Sequence, residues 1–311
     1  MTEVRSLRLH DLPFAYRMSG LGISFDAQIR LTVGDDGFRQ ALMAGTGETQ
    51  VYVLRASGSG VLAQMHYLPD VPYARLAYLA PALAEGASDD LWLAMLDGLT
   101  AAAGERGMVT IIAEVGDNIP EFELLRRAGY AVFARQDLWM RSPAPAPSPG
   151  FQLRAVRNAE DQQALLSLYG SLVPGLIKHI EPPPTVADQC FLADGRRGSE
   201  GLVAVYEGAN GVLIETYLLP NSQRMPAELL ASALNIVNAG GKAVYCRVRD
   251  YMGSQSGTLT DAGFQHLGAQ AVMYRHTAAR VAQNTYRLVE KVDGGVPLPS
   301  SIVDGHQGGT A

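Results

Sequence analysis

Cysteine is nearly absent from the 311 residues: Cys190 and Cys246 are the only two, far apart and without a Cys-x-x-Cys or Cys/His spacing. That excludes a disulfide scaffold and a thiolate metal centre, and both read as small apolar core residues in a reducing compartment. No block of Lys and Arg occurs and the net charge is −6, so no electrostatic footprint for a nucleic-acid backbone is present. Long apolar runs are missing too; the longest, Leu76 to Ala84, is interrupted by Pro81, and charged residues Glu3, Arg5, Arg8 and Asp11 stand where a signal peptide would be apolar. The expectation is a cytoplasmic protein without membrane or nucleic-acid partners. His66, His179 and His266 lack metal-ligand spacing, so no metal is expected.

Hydrophobic residues at 47% and charged residues at 18% indicate folded, core-rich domains, and the length predicts two of them. The stretch Ser142 to Gly150 alternates proline with small residues, which favours an extended spacer. This gives an N-terminal domain at 1–141, a linker at 142–150, a C-terminal domain at 151–292 and a disordered tail at 293–311. Gly45-Thr-Gly47 and Gly58-Ser-Gly60 lack the following Lys and helix of a phosphate loop and read as turns.

The halves repeat one pattern. A short strand carrying an Arg opens each, at Val4–Leu9 and Phe151–Val156, before an Asp-containing helix start. Three β-rich runs follow, at Gln50–Ala56, Val61–Tyr67 and Ala74–Leu79, matched by Gln189–Ala193, Leu202–Tyr206 and Val212–Leu219. Each third run meets a proline, Pro81 or Pro220, and then a helix, over Ser88–Arg106 or Pro226–Ala239. Glycines end both helices ahead of apolar strands at Met108–Ala113 and Lys242–Val248. Arg127-Ala-Gly-Tyr130 and Asp261-Ala-Gly-Phe264 close the pattern, each trailed by two short strands. The order predicts an α/β (α+β) chain of two tandem domains, each a mixed, mostly antiparallel sheet flanked by helices.

That order, with proline after the fourth strand and Ala-Gly-aromatic after the last helix, resembles the GNAT superfamily of acyl-CoA-dependent N-acyltransferases, over residues 4–141 and 151–278. The likeness is strongest in Asn118-Ile-Pro-Glu-Phe-Glu-Leu-Leu-Arg-Arg-Ala-Gly-Tyr130, where Asn118, Leu124, Arg127, Gly129 and Tyr130 match the family's N-x-x-A-x-x-L-Y-x-K-x-G-F element. The resemblance implies acetyl-CoA or another acyl-CoA lying in a splay between the fourth and fifth strands, with its pyrophosphate at a Q/R-x-x-G-x-G/A loop before the third helix. Unpaired N–H groups at a helix start attract such an anion.

Both loops depart from that pattern. Pro81 to Asp90 keeps Gly86 but brings in Glu85, Asp89 and Asp90, and Ser88 or Asp89 reads equally as a plain helix cap. Pro220 to Glu228 offers Gln223 or Arg224 and no glycine. The resemblance therefore points to the second half, with pantetheine on the backbone of Tyr217, Leu218 and Leu219 and pyrophosphate at Gln223 and Arg224; a further reading makes the first half the active one through Asn118, as a cofactor contact, and Arg127, against its acidic loop. Glu215 stands where the family's base is expected, the alternative being a solvated strand residue. The family's tyrosine acid is replaced by Leu125 and Leu259, leaving Tyr251 or Tyr217 as donors or as structural tyrosines. The expected activity is acyl transfer to the amine of a small molecule or peptide. The rival is a non-catalytic paired module that binds a metabolite or protein after loss of both CoA loops.

Overall fold

The computed structural model describes residues 3–277 apart from 35–47, 57–58, 69–70, 145–149 and the single positions 182, 186, 197, 238 and 254. Gly45-Thr-Gly47, the middle of the linker and the tail lie outside the described residues. The first half runs β1 (Arg5–Ser6), α1 (Leu12–Met18), β2 (Ile23–Ser24), α2 (Ala27–Thr32), β3 (Thr49–Ala56), β4 (Ser59–Tyr67), β5 (Tyr73–Ala80), α3 (Asp89–Glu105), β6 (Thr110–Gly116), α4 (Pro120–Arg127) and β7 (Ala131–Arg141). The second runs β8 (Arg154–Ala155), α5 (Ala159–Leu172), α6 (Gly175–Lys178), β9 (Gln189–Gly195), β10 (Gly198–Glu207), β11 (Gly211–Leu218), α7 (Pro226–Ile236), β12 (Ala243–Arg249), α8 (Ser256–Asp261) and β13 (Gln265–His276).

Local chemistry explains the boundaries. Asp26 and Asn158 cap α2 and α5 by accepting from the N–H groups of Ile29 and Asp161 at 3.1 and 2.8 Å. Proline stands in the first turn of α1, α4 and α7, where its missing N–H costs nothing. On one face of the sheet, Trp92, Leu96 and Leu99 of α3 pack with Leu54, Met65, Leu76 and Ile111; Leu229, Leu230 and Ala233 of α7 pack likewise with Val203, Ile214 and Cys246. Helices α1 and α5 cover the other face through Phe14 and Ala15, and through Leu165, Leu168 and Tyr169.

The strand after each Ala-Gly-aromatic motif corrects the sequence expectation. Instead of two short strands there is one long one, and it crosses to the other half. Strand β7 pairs with β12 and β13 pairs with β6, while β7 and β13 pair with each other, antiparallel throughout. One 13-stranded sheet results, in the order β1-β3-β4-β5-β6-β13-β7-β12-β11-β10-β9-β8, with β2 attached to β5. Gln136 stands opposite Gln270 at its midpoint, Gln136 Nε2 donating to Gln270 Oε1 at 2.7 Å. Two open edges are removed by the exchange, because a strand of five to ten residues left unpaired exposes its N–H and C=O rows.

Packing is exchanged as well. Ala27 and Leu31 of α2 lie against Ala204, Tyr206 and Leu213 of the second half. Asn210 donates its backbone N–H to Thr32 O at 2.8 Å and its side-chain amide to Val33 O at 2.6 Å, so a second-half turn closes a first-half helix. Gly208 makes this possible: a Cβ there would stand 2.3 Å from Thr32 O. In return Ile180 packs beside Tyr73, Ile112, Ala134 and Val272.

Candidate active site

Strands β5 and β6, and β11 and β12, are the parallel pairs, and each pair splays. Pairing stops at Arg75–Ile112 in the first half although β5 continues to Ala80. The chain itself fills that gap. Phe25 N donates to Ala77 O at 2.9 Å and Phe25 O accepts from Glu114 N at 2.8 Å, bridging the parted strands, while Ile23 and Ser24 pair with Leu79 and Tyr78. Gly22 lets this segment approach: a Cβ there would lie 2.5 Å from Leu79 O and from the Tyr78 ring. The nearby loop is sealed too, with Leu83 N donating to Glu121 Oε1 at 3.1 Å and Ala82 N to Leu21 O at 2.7 Å. Arg127 is ion-paired with Asp89 in the first turn of α3, and Asn118 is exposed in the turn before α4.

Pairing of β11 with β12 stops at Ile214–Cys246, while β11 runs on to Leu218 and β12 to Arg249. Leu219 N is committed to Glu200 O at 2.9 Å, on the β10 side. Because successive residues of a strand turn their N–H groups to opposite sides, Thr216 and Leu218 present theirs to the gap. Among the described residues no segment crosses this gap as 23–25 crosses the other; Gln255 reaches in, 3.2 Å from Thr216 Oγ1. Gln223 is exposed on the following loop. Arg224 is engaged: its guanidinium lies 3.7 Å over the Phe151 ring and donates to Asp194 O at 2.8 Å.

Glu215 is buried, not solvated, with 6% exposure. Its Oε1 accepts from Arg247 Nε at 2.5 Å and its Oε2 from Tyr217 Oη at 2.9 Å, with Tyr206 Oη at 3.5 Å. Burial alone would raise the carboxyl, but Arg247 and Arg249 outweigh it and hold it below the ordinary range. Tyr251 is half-buried among Leu168, Tyr169 and Tyr217, and burial raises its hydroxyl. Glu215, Tyr217 and Tyr251 thus share one neighbourhood, Leu218 borders the gap, and Gln223 and Arg224 lie beyond it. Leu125 and Leu259 are core residues.

Sequence reasoning missed what surrounds Glu215. Arg247 also donates to Glu114 Oε1 at 3.1 Å across the two halves. Glu114 lies 3.5 Å from Arg249 and 3.7 Å from Arg75; Arg75 lies 3.5 Å from Asp26, and Arg249 is paired with Glu181. Burial opposes ionisation of Glu114, yet Arg247, Arg249 and Arg75 together push its carboxyl down to about 2. A cavity of about 80 Å³ opens beside this cluster, lined from the first half by Asp26, His66 and Arg75 and from the second by Glu181, Tyr206 and Glu215. The available signal was a charged residue in mid-strand, as Arg75, Glu114 and Arg247 each are. Among the described residues no grouping of His, Cys, Asp and Glu could hold a metal ion, and no helix is long and apolar enough to cross a membrane.

Strand order, the two splays and the helices before and after each fifth strand define the fold of GNAT acetyltransferases. A GCN5-related glucosamine N-acetyltransferase region of a fungal multi-domain GH3 β-N-acetylglucosaminidase superposes with a TM-score of 0.55 at 11% identity, over 88% of this chain and 38% of that one. A GCN5-related N-acetyltransferase from Sphaerobacter thermophilus gives 0.51 at 16% identity, over 88% of this chain and 95% of that one. The chain thus spans well under half of the fungal protein, and at these identities the likeness is one of fold. No protein-family profile matches the sequence, and no curated relative matches it.

Proposed function

We propose that the second half binds acyl-CoA and transfers its acyl group to an amine, the first half serving as scaffold and as one wall of the acceptor cavity. The observation that carries this reading is the contrast between the splays: the first is bridged by the chain's own Phe25, whereas among the described residues the second leaves the β12-facing edge of β11 without a strand partner beyond Ile214. Pantetheine would bond to the free backbone at Thr216 and Leu218, between Tyr217 and Leu219, with the pyrophosphate near Gln223. When bound, the cosubstrate supplies the activated acyl group. Glu215 is already ionised, the form a base requires, and draws the amine proton through the Tyr217 hydroxyl; Tyr251, packed against the cluster that contains Tyr217, is the candidate to protonate the departing thiolate. Calorimetric titration of acetyl-CoA is expected to show micromolar binding, weakened by Gln223→Glu, which sets a carboxylate beside the pyrophosphate. Absence of heat up to millimolar concentration would sink the reading.

The Arg247 ion pair favours a second reading, a binding module without turnover. A carboxylate held by a guanidinium is a poor proton acceptor. Acetyl-CoA binding without release of free thiol in the presence of small amines would select it.

A further inference from the structure

One position of the repeat reaches across both splays. Counted back from Arg127-Ala-Gly-Tyr130 and Asp261-Ala-Gly-Phe264, Glu121 and Gln255 correspond. Glu121, in the helix after β6, accepts from Leu83 N in the loop after β5 at 3.1 Å; Gln255, ahead of the helix after β12, accepts through Oε1 from the Thr216 hydroxyl of β11 at 3.2 Å. The two crossings differ in strength. Glu121 lies within α4 and is 4% exposed, and its bond joins a carboxylate to a backbone N–H. Gln255 is half-buried and stands outside α8, and its bond joins two neutral groups, roughly half as strong as a charge-assisted pair. Gln255 is therefore free to move without unwinding a helix. A recess of about 360 Å³ over β7 and β12, lined by Gln255 itself with Arg135, Asp250 and Ser256, has room and polar partners for the released side chain.

We infer that Gln255 is a latch on the gap between β11 and β12: bonded to Thr216 it occupies the space, and acyl-CoA enters when it swings into the recess. This rests on the acyl-CoA reading of the second half. The carboxamide of Gln255 carries one carbonyl and one NH₂ group, the same kinds of acceptor and donor that a pantetheine amide brings, so side chain and cosubstrate compete for one place. The measured affinity is then lowered by the fraction of molecules in which the latch is shut. In the first half the corresponding carboxylate holds the backbone of the loop itself, and Phe25 bridges the strands behind it, so nothing there is built to open. The same position of the fold thus seals one half and gates the other.

Calorimetric titration of acetyl-CoA into the full chain, Gln255→Ala, Thr216→Val and the double variant tests the latch, each protein first checked for a native circular dichroism spectrum. Either single substitution is expected to tighten binding about two- to tenfold, the worth of one neutral hydrogen bond that no longer has to break. The double variant should gain no more than the better single one, because both remove the same bond. Unchanged or weaker binding in Gln255→Ala, or gains that add in the double variant, would overturn the latch and leave the acyl-CoA reading intact. Absence of binding in all four proteins refutes that reading and the latch with it. Should Thr216→Val fail to fold, Gln255→Ser is titrated beside Gln255→Ala: a gain in both supports the latch, and a gain in neither refutes it.

Discussion

Arg247 and its carboxylates carry the largest single-residue consequences. Replacing Arg247 by Met strands Glu114 and Glu215 as buried charges facing the remaining arginines, and breaking such a pair costs about 3–5 kcal/mol. Chemical denaturation should show that loss as a lower midpoint, with part of it recovered in Arg247→Met/Glu215→Gln. Acid sensitivity follows from the same groups. Glu114 sits at about 2 in the fold against an ordinary 4.5, so its contribution is complete above pH 4.5 and is lost as pH falls toward 2. Asp11, held to about 2 by its bond with Arg5, adds to the same window from an ordinary 3.8. The unfolding midpoint should therefore fall through that range, and less steeply in Glu114→Gln. Burial pushes the Cys246 thiol up to about 12 and that of the partly buried Cys190 up to about 11; Cys246 should therefore not react with iodoacetamide at pH 8 until the chain unfolds, and its modification in the native state would contradict the packing.

At the scale of elements, the β2 segment is what distinguishes the halves. Phe25 is 1% exposed and meets Trp92 edge-on with ring centroids 6.0 Å apart, so it is a core residue as well as the bridge across the first splay. Phe25→Ala should cost about 3–5 kcal/mol, measured by denaturant titration, and should leave acyl-CoA affinity unchanged if the second half alone binds it. Most strands and helices were legible beforehand. Runs such as Val61–Tyr67 and the helix from Ser88 have strong period, length and glycine or proline ends, and the structure places β4 at Ser59–Tyr67 and α3 at Asp89–Glu105. Segment 23–25 was not legible, because two strand residues between short helices carry no periodic signal and act only through a partner strand distant in sequence. The surroundings of Arg224 were not legible for a related reason: Phe151 and Asp194 O, which it meets, are distant from it in sequence.

For the molecule as a whole, the exchanged strands make the halves interdependent. Strand β13 lies between β6 and β7, so a fragment ending after β7 lacks the partner that β6 needs, and one beginning at β8 lacks β7 beside β12. Residues 1–144 and 150–280 expressed separately should each fail to give a cooperative transition, while co-expression should restore a one-to-one complex with native-like circular dichroism; independent folding of either piece would refute this. The intact chain should melt in one calorimetric transition. Sequence alone was sufficient for the repeat, most of the element order, the mixed architecture and the likeness to GNAT proteins, since these rest on local periodicity, turn residues and a motif of contiguous residues. Which splay is filled, where the last strands pair and how Asp26, Glu114, Glu181 and Glu215 meet the three arginines were decided only in three dimensions. Strand exchange and buried charge pairing join residues more than a hundred positions apart, as in Glu114 with Arg247, and the free energy of those meetings appears only when the whole sheet assembles.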